Sequence, residues 1–376
     1  MKVGITCYPT YGGSGIVATE LGLELANRGY DVHFISYANP IRLDPGHPRI
    51  HYHEVEVSTY PLFQFPPYSL ALASRKAEVA ERYSLDLLHV HYAIPHSISA
   101  MLARDMLAGR RRLPFITTLH GTDITLVGAD RSYFPITKFS IEKSDGITTI
   151  SEDLRARTVE VFGIRNEIRV IRNFVNCDTY RPARDTRPEN PYSAPGEKVL
   201  MHISNFRPVK RIPDCIRILE KVREDAPAHL LMVGDGPERG PAESLARELG
   251  LEQHVTFLGK QDHIERLIPL ADVFLLPSQL ESFGLAALEA MACGVPAVST
   301  RVGGVPELIT HEVDGFLESP GDVAAQAARV TALVTDESLH RRMSEAARAT
   351  AVTKFCSSRV IPIYERYYRE ICDSRT

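Results

Sequence analysis

The sequence predicts an α/β protein with two parallel-sheet domains. Short apolar or β-branched runs alternate with amphipathic segments in the first half of the 376-residue chain, and the same alternation restarts in the second half. A proline-rich segment separates the two series. The predicted strands are residues 3–7, 32–36, 87–91, 115–119 and 146–150, then 198–203, 230–233, 255–258, 273–276 and 296–299.

The boundary between the domains is predicted from residues 181–197, RPARDTRPENPYSAPGE, which are rich in proline and charge and lack apolar periodicity. We place the first domain at residues 1–184, the linker at 185–197 and the second domain at 198–356. Residues 357–376 have an apolar and aromatic helical pattern that an exposed tail would not need. We expect this last helix to pack on another part of the molecule.

The composition favours small-molecule chemistry. The 43 basic and 47 acidic residues give a net charge of -4, so there is no excess positive field for nucleic acid or an anionic membrane. No stretch approaches the roughly 20 apolar residues of a membrane span, and we expect a cytoplasmic protein without stable membrane association. The 6 cysteines are scattered without a CxxC pair, which suggests neither a disulfide framework nor a zinc site.

The most informative stretch is ESFGLAALEAMACGVP, which begins at Glu281. We expect a helix to begin here, capped by Ser282, with Phe283 and Gly284 exposing backbone N–H groups to phosphate oxygens. Carboxylates repel phosphate but accept hydrogen bonds from sugar and ribose hydroxyls, so Glu281 and Glu289 complete a site for a nucleotide-sugar diphosphate. The alternative is a capped amphipathic helix with acidic surface residues. It would explain the serine and the glutamates but not the adjoining Phe-Gly and Ala-Cys-Gly-Val-Pro segments.

A glycine-rich loop follows the first predicted strand. Gly12, Gly13 and Gly15 precede an amphipathic helix, so backbone can approach a ligand there, or the glycines simply allow a tight turn. The segment from Gly13 to Ala18 also fits the dinucleotide fingerprint GxGxxA. A nicotinamide-dependent oxidoreductase is therefore an alternative, although the second strand ends without the acid that would hold a ribose.

Two further strands end in polar clusters. His89 and His91 should lie on one strand face, where buried, hydrogen-bonded imidazoles are more common than metal ligands, and Tyr92 follows as an acceptor-site candidate. After the next strand, His120 is placed to donate a hydrogen bond to a substrate. Asp123 either orients His120, binds an acceptor hydroxyl or caps the loop.

The first strand of the second half leads into SNFRPVKR, which concentrates cations at Arg207, Lys210 and Arg211. Such a cluster would neutralise a diphosphate leaving group, whose charge grows as the glycosidic bond breaks. The alternative is a solvated basic loop, but the position between a strand and a helix favours function. After a later strand, Leu258 could present backbone groups to a flat base.

These motifs occur together in one known family. Gly12-Gly13-Ser14-Gly15, His120, Lys210 and Glu281-x7-Glu289 with the following Gly294-Val295-Pro296 resemble the retaining family 4 glycosyltransferases of GT-B architecture, over essentially the whole chain. The resemblance implies two Rossmann-like parallel-sheet domains facing across a cleft, the second of which binds the nucleotide sugar. It also implies that the C-terminal helix crosses back to the first domain.

The resemblance further implies roles for the matching residues. Lys210 would neutralise the diphosphate, Glu281 would hold the donor sugar, Glu289 would bind ribose hydroxyls, and His120 would face the sugar. Many relatives have arginine where this chain has Asn205, and Arg207 would supply that charge. The catalytic set is His120, Lys210 and Glu281, and the donor-binding set is Gly13, Ser14, Gly15, Asn205, Arg207, Lys210, Leu258, Phe283, Gly284, Leu285 and Glu289.

The wording of four segments, GITCYPTYGGSGIVATELG, HVHYAIPHS, TLHGTDITLVG and SNFRPVKR, is most similar to family members that act in bacillithiol biosynthesis. Those enzymes transfer N-acetylglucosamine from UDP-N-acetylglucosamine (UDP-GlcNAc) to the hydroxyl of L-malate. The resemblance implies retention of the α configuration, a homodimer, and no metal or other cofactor, since cations and N–H groups stabilise the leaving group. The acceptor candidates are Ser14, Tyr92, Thr118, Asp123 and Asn173.

Other interpretations stay open at this point. A related family 4 enzyme could use a lipid, a sugar phosphate or a polysaccharide as acceptor, although Arg110-Arg111-Arg112 is too short a basic run to establish a membrane-facing surface. A noncatalytic nucleotide-sugar-binding protein would share the donor residues. Turnover separates these alternatives.

Overall fold

The computed structural model describes residues 1–10, 12–43, 46–57, 61, 64–125, 128, 130–183 and 190–374. Contacts divide the chain into two units. The first contains Met1–Arg172 together with Val360–Thr376, and the second contains Asn173–Arg359. Residues 185–189 of the predicted linker lie outside the described residues.

The first unit is built on a parallel sheet. Among its described residues the sheet has 7 strands in the order β3-β2-β1-β4-β5-β6-β7, and every described pair is parallel. The strands are β1 Lys2–Thr6, β2 Asp31–Ser36, β3 Ile50–Glu54, β4 Leu87–His91, β5 Phe115–Leu119, β6 Gly146–Thr149 and β7 Ile168–Val170. Its helices are α1 Gly13–Asn27, α2 Tyr68–Tyr83, α3 Ile98–Met106, α4 Thr122–Thr125, α5 Phe134–Glu142 and α6 Glu152–Phe162.

The second unit repeats this architecture. Its sheet, counted over the described residues, has 6 parallel strands in the order β10-β9-β8-β11-β12-β13. The strands are β8 Lys198–Ser204, β9 Ala228–Gly234, β10 Val255–Gly259, β11 Val273–Leu276, β12 Ala297–Thr300 and β13 Gly315–Glu318. The helices are α7 Ile212–Val222, α8 Arg239–Glu248, α9 Ile264–Leu267, α10 Leu285–Ala292, α11 Val305–Leu308, α12 Val323–Thr335 and α13 Glu337–Thr350. The last helix, α14 Ser357–Asp373, begins in this unit and from Val360 onward belongs to the first unit.

The central strands are buried along their whole length. Every residue of β4, β5 and β6 is buried, which is typical of parallel sheets that helices cover on both faces. This burial accounts for the continuous apolar and β-branched runs seen in the sequence. It also forces polar side chains on these strands to find hydrogen-bond partners inside the unit.

The last helix packs against the first unit, as the sequence predicts. Tyr364 and Tyr368 of α14 are fully buried, and the Tyr368 hydroxyl lies 2.6 Å from Nδ1 of His89. The Tyr367 hydroxyl accepts a hydrogen bond from the backbone N–H of Ile147 at 3.1 Å. The aromatic stripe in the C-terminal sequence is therefore a buried helix face.

Three strands are absent from the sequence prediction, and all three lie at sheet edges. They are β3, β7 and β13. Strands β3 and β7 are short and partly exposed, so they lack the apolar run that identifies a central strand. Strand β3, for example, reads Ile-His-Tyr-His-Glu. Strand β13 is mostly buried, but its sequence, Gly-Phe-Leu-Glu, has only two large apolar residues.

Candidate functional site

In the second unit, Lys210 and Glu281 form an ion pair. The sequence predicts that both residues bind the sugar-nucleotide donor. Lys210 Nζ lies 2.5 Å from Glu281 Oε2, and the two side chains are 20% and 13% exposed. Lys210 ends a short helical turn after β8, and Glu281 lies in the loop between β11 and α10. Adjacent parallel strands place both loops at the carboxyl edge of the sheet, where open α/β folds bind ligands.

Helix α10 begins at this edge. Gly284 precedes Leu285, the first helical residue, with a φ of 96°, a left-handed conformation that suits glycine. The prediction that Ser282 caps this helix is wrong, because Gly284 occupies the N-cap position. Glycine has no side chain that could accept a cap hydrogen bond. The first turn therefore presents backbone N–H groups that suit anionic oxygens.

The other residues of the Glu281 motif differ in exposure. Phe283 is buried, and its ring meets that of Phe355 edge-on at 5.6 Å. Leu285 is half-buried at the start of α10, whereas Glu289, further along the helix, is buried. Phe283 therefore anchors the turn, while Glu289 holds a carboxylate in a largely desolvated position.

The loop after β8 packs closely against the loop after β9. A Cβ on Gly234 would lie 1.8 Å from the Ser204 carbonyl oxygen, and one on Gly236 would lie 2.1 Å from that of Asn205. The Gly-Asp-Gly sequence, which by itself indicates only a turn, therefore allows this contact. Asn205 is half-buried, and its Oδ1 has no hydrogen-bond partner within the described part of the chain.

The remaining residues predicted to bind the donor substrate lie after β8 and near the end of β10. Arg207 is exposed, so its guanidinium is accessible to an anionic ligand. Leu258 is half-buried near the end of β10, and its carbonyl accepts a hydrogen bond from the Gln261 side chain at 2.7 Å. The Leu258 carbonyl therefore already accepts a hydrogen bond within the protein.

His202 is a residue of this unit to which sequence reasoning assigned no role. Its Nδ1 donates to the Leu275 carbonyl at 2.9 Å, and Nε2 accepts from the Ser204 hydroxyl at 2.7 Å. Ser204 Oγ in turn accepts from the backbone N–H of Phe206 at 3.2 Å. Burial, aided by the charge of Lys210 and opposed by that of Glu281, lowers the pKa of His202 to about 4. A neutral His202 thus holds the loop that leads to Lys210.

In the first unit, the glycine-rich loop leads directly into α1. Gly12 precedes the helix in an extended conformation, Gly13 is exposed and Ser14 is half-buried. A Cβ on Gly15 would lie 2.6 Å from the Tyr8 carbonyl oxygen and 2.9 Å from that of Thr10. Glycine is therefore needed at position 15 for close packing of the loop on the helix.

The aromatic residues that follow β1, β4 and β5 form a continuous group. The rings of Tyr8 and Tyr92 meet edge-on at 5.2 Å, and those of Tyr92 and His120 stack at 5.5 Å. His91 Nδ1 lies 2.8 Å from His120 Nε2, so the two imidazoles share a hydrogen bond. The structure thus brings together the predicted acceptor residue Tyr92 and the predicted catalytic residue His120.

Asp123 organises the loop that carries His120. Its carboxylate accepts hydrogen bonds from the backbone N–H groups of Gly121 at 2.9 Å, His120 at 3.1 Å and Ala93 at 3.2 Å. Burial raises the pKa of Asp123 to about 6, and these N–H donors oppose the rise. These contacts match the loop-capping alternative and join the loops after β4 and β5.

Two further acceptor candidates, Thr118 and Asn173, are buried. The Thr118 side chain is fully buried, with its hydroxyl 2.6 Å from both His89 Nε2 and Thr148 Oγ1. Asn173 is buried at the start of the second unit, and within the described residues its Oδ1 has no hydrogen-bond partner. The Thr118 hydroxyl therefore faces the interior of the first unit.

Buried basic residues surround the His91–His120 pair, and sequence reasoning assigned no role to two of them. His96 Nδ1 donates to the His91 carbonyl at 2.5 Å. Lys76 is fully buried and donates to the His96 carbonyl and to Ser99 Oγ, both at 2.8 Å. Burial lowers the pKa values of His89, His96 and His120 to about 3, and it lowers those of His91 and Lys76 strongly.

Comparison with known proteins identifies the class. Residues 11–179 match Glycosyltransferase Family 4, and residues 184–350 match Glycosyl transferases group 1. The chain is 47% identical over 372 residues to the N-acetyl-alpha-D-glucosaminyl L-malate synthase of Bacillus anthracis, covering 99% of this chain and 97% of that protein. The chain therefore belongs to the family 4 glycosyltransferases, and the resemblance to this synthase expected from the sequence is confirmed.

Other relatives are more distant. The D-inositol 3-phosphate glycosyltransferase of Mycobacterium marinum is 27% identical, covering 96% of this chain and 82% of that protein. Among solved structures, sucrose-phosphate synthase of Thermosynechococcus elongatus has a TM-score of 0.80 at 22% identity, covering 99% of both chains. HepE of Anabaena, in complex with UDP and glucose, has a TM-score of 0.81 at 21% identity, covering 100% of both chains. These likenesses confirm the GT-B fold class.

Among the described residues, no helix combines the length and apolar character needed to cross a bilayer.

The buried histidines predict acid sensitivity. Unfolded histidine titrates near 6.5, whereas His89, His96 and His120 stay neutral in the folded state down to about pH 3. Between about pH 3 and pH 6.5 the unfolded state therefore binds more protons than the folded state. The free energy of unfolding consequently falls as the pH drops below 6.5. Asp123 acts oppositely between pH 4 and 6, because its folded-state pKa is raised and its contribution grows as the pH falls.

We expect the urea-unfolding midpoint to decrease between pH 7 and pH 4.5, and to decrease less steeply in His96→Asn. Each such histidine changes the free energy of unfolding by roughly 1.4 kcal/mol per pH unit. Exposed His263 supplies the control variant, His263→Asn. Equal pH slopes in the two variants would contradict this account of the buried histidine.

Proposed function

We propose that this glycosyltransferase transfers N-acetylglucosamine from UDP-GlcNAc to the hydroxyl of L-malate. The products are an α-linked glucosaminyl malate and UDP. The observation that supports this most directly is the Lys210–Glu281 ion pair beside the glycine-initiated start of α10, because it supplies both a cation for diphosphate and a carboxylate for a sugar hydroxyl. The 47% identity to the B. anthracis synthase supports malate as acceptor.

Lys210 acts on the leaving group. Glu281 Oε2 lies 2.5 Å from Lys210 Nζ, so the carboxylate compensates the positive charge of Lys210 before the sugar nucleotide binds. As the bond between the sugar C1 and the β-phosphate oxygen breaks, negative charge accumulates on that phosphate, and Lys210 stabilises it by hydrogen bonding. Glu281 then accepts a hydrogen bond from a hydroxyl of the donor sugar. The pair therefore exchanges an internal contact for two substrate contacts.

Glu289 and α10 hold the nucleotide end. A buried carboxylate is a strong hydrogen-bond acceptor, and the adjacent hydroxyls of ribose offer two donors. The first-turn N–H groups of α10, after Gly284, suit the diphosphate oxygens. Arg207 supplies further positive charge. It lies close in sequence to Asn205, which occupies the position where many related enzymes have an arginine.

The acceptor reacts on the face from which the diphosphate leaves. The malate hydroxyl oxygen bonds to C1 as the C1–phosphate oxygen bond breaks, and the hydroxyl proton passes to the departing phosphate oxygen. His120, neutral because burial lowers its pKa to about 3, contributes a hydrogen bond to the sugar rather than a proton. This scheme gives retention and uses no metal.

The first unit provides donors that suit the carboxylates of malate. The start of α1 presents the backbone N–H groups of Gly13, Ser14 and Gly15 together with the Ser14 hydroxyl. Tyr92 lies at the end of β4 beside His120. Anionic oxygens of either substrate suit this helix start. We place the enzyme in the cytoplasm as a homodimer, on the resemblance to the bacillithiol enzymes.

Turnover tests the proposed reaction. Purified protein with UDP-GlcNAc and L-malate in EDTA should release UDP and form one glycosyl malate with α-anomeric coupling in its proton NMR spectrum. Product with a lipid, a sugar phosphate or a polysaccharide but none with malate would contradict the acceptor assignment. A β-linked product would contradict retention, and donor binding without product under all these conditions would indicate a binding protein.

The glycine loop offers a second test with a matched control. Gly15→Ala should reduce kcat/KM by roughly 10-fold or more, because its Cβ would meet two carbonyl oxygens and displace the loop. Gly12→Ala should retain most activity, since no atom of the described residues around it lies within 4 Å of its Cβ position and its φ is -156°. Thermal unfolding of both variants controls for folding. Equal activities in the two variants would contradict a role for the close contact at Gly15.

A further inference from the structure

A second group of polar residues lies at the amino edge of the second unit's sheet. Glu197 directly precedes β8, His229 is the second residue of β9, and His254 directly precedes β10. These three strands are adjacent and parallel, so their amino ends meet on one edge. Lys210 and Glu281 follow the carboxyl ends of strands in the same sheet, at its opposite edge.

The spacing of the three side chains matches that of metal ligands. One ligand atom from each lies within 4.8 Å of the others. His254 Nδ1 is 3.4 Å from Glu197 Oε1, and His229 Nδ1 is 3.7 Å from Glu197 Oε2. Ligand atoms of a tetrahedral zinc ion, with bonds of about 2.0–2.2 Å, lie about 3.3–3.6 Å apart. The distances therefore suit an ion between the side chains.

The Nδ1 atoms of the two histidines are the candidate ligand atoms. His229 is 4% exposed, and Nδ1 of His229 and of His254 are buried without a hydrogen bond to any described residue. His229 Nε2 pairs with Thr256 Oγ1 at 2.8 Å. If Nε2 carries the proton and donates it to Thr256, the lone pair of Nδ1 points toward Glu197, as in histidines that ligate metals.

The carboxylate is also held from outside the group. Glu197 Oε2 accepts from the backbone N–H of Ala194 at 3.0 Å, and Oε1 accepts from Arg223 Nη1 at 3.1 Å. Arg223 also donates to the Ala228 carbonyl at 2.5 Å, so it is anchored independently of Glu197. Each carboxylate oxygen has a second lone pair available for a cation. The competing arrangement is an ion pair of Glu197 with Arg223 alone.

We propose that Glu197, His229 and His254 bind a divalent transition-metal ion of the zinc type, with water completing the coordination. Two imidazole nitrogens and one carboxylate oxygen suit zinc, whereas magnesium and calcium prefer oxygen ligands alone. The ion would join Glu197, the last residue of the predicted linker, to β9 and β10. Its role is to stabilise the second unit, and it takes no part in sugar transfer.

Zinc titration of the full-length, tag-free protein tests this site. After chelator treatment and removal of the chelator, competition with a chromophoric zinc indicator should give one zinc ion bound per chain. Zinc should also raise the thermal unfolding temperature, because a ligand that binds only the folded state stabilises it. Magnesium at the same concentration should not.

Two variants locate the ion, and one serves as control. His254→Gln, at the more exposed ligand, should weaken zinc binding by roughly 10-fold or more and abolish the thermal shift, and His229→Gln should do the same. His263→Gln, an exposed histidine in the same unit, should bind like the wild type. Absence of stoichiometric zinc binding, or equal binding by His254→Gln and the wild type, would overturn the proposal. The second result would place the zinc elsewhere, for example on cysteine.

The outcome is separable from that of the proposed function. Transfer activity measured in EDTA at low temperature should not depend on this site. Loss of zinc binding in His254→Gln with retained transfer would support both proposals. Loss of transfer in chelator-treated protein that is still folded, restored by zinc, would overturn the assigned structural role.

Discussion

The parallel arrangement of the strands determines where the chemistry of this protein lies. Every strand pair that the structure describes is parallel, so within each unit all strand-to-helix loops emerge at one edge of the sheet. In the second unit this edge collects Lys210, Glu281 and the start of α10. In the first it collects the start of α1, Tyr92 and His120. Residues far apart in sequence thereby come to share a site because of topology alone.

Burial then decides the charge of each group. Lys210 and Glu281 are partly buried and compensate each other, which limits the cost of holding a cation ready for an anionic leaving group. In the first unit, desolvation keeps the histidines around His120 neutral, so they act as hydrogen-bonding groups. Asp123 shows the same balance, since three backbone N–H donors oppose the effect of burial on its carboxylate.

The sequence predicted the elements better than their contacts. Periodicity identified the central strands, because buried parallel strands are continuous apolar runs, but it missed β3, β7 and β13 at the edges. Motifs predicted that Lys210 and Glu281 act on one donor. Their direct pairing across 71 residues depends on the adjacency of β8 and β11, which no local pattern encodes.

Competing local solutions explain the other differences. Ser282 is a good helix cap by residue type, yet Gly284 takes that position because its left-handed backbone turns the chain into α10. Thr118 has the hydroxyl expected of an acceptor-site residue, yet strand alternation directs it into the interior toward His89. The Glu197, His229 and His254 group escaped detection because its members are widely separated and meet only through strand order.

The most direct test of the account is the affinity for UDP, measured by isothermal titration calorimetry on Glu289→Ala, Lys210→Met and His120→Asn. The second-unit residues hold the nucleotide, so Glu289→Ala and Lys210→Met should weaken UDP binding by roughly 10- to 100-fold, the value of a charge-assisted hydrogen bond. His120→Asn should bind UDP within about 2-fold of wild type and slow transfer by roughly 100-fold. Equal losses of UDP affinity in all three variants would contradict the division of roles between the two units.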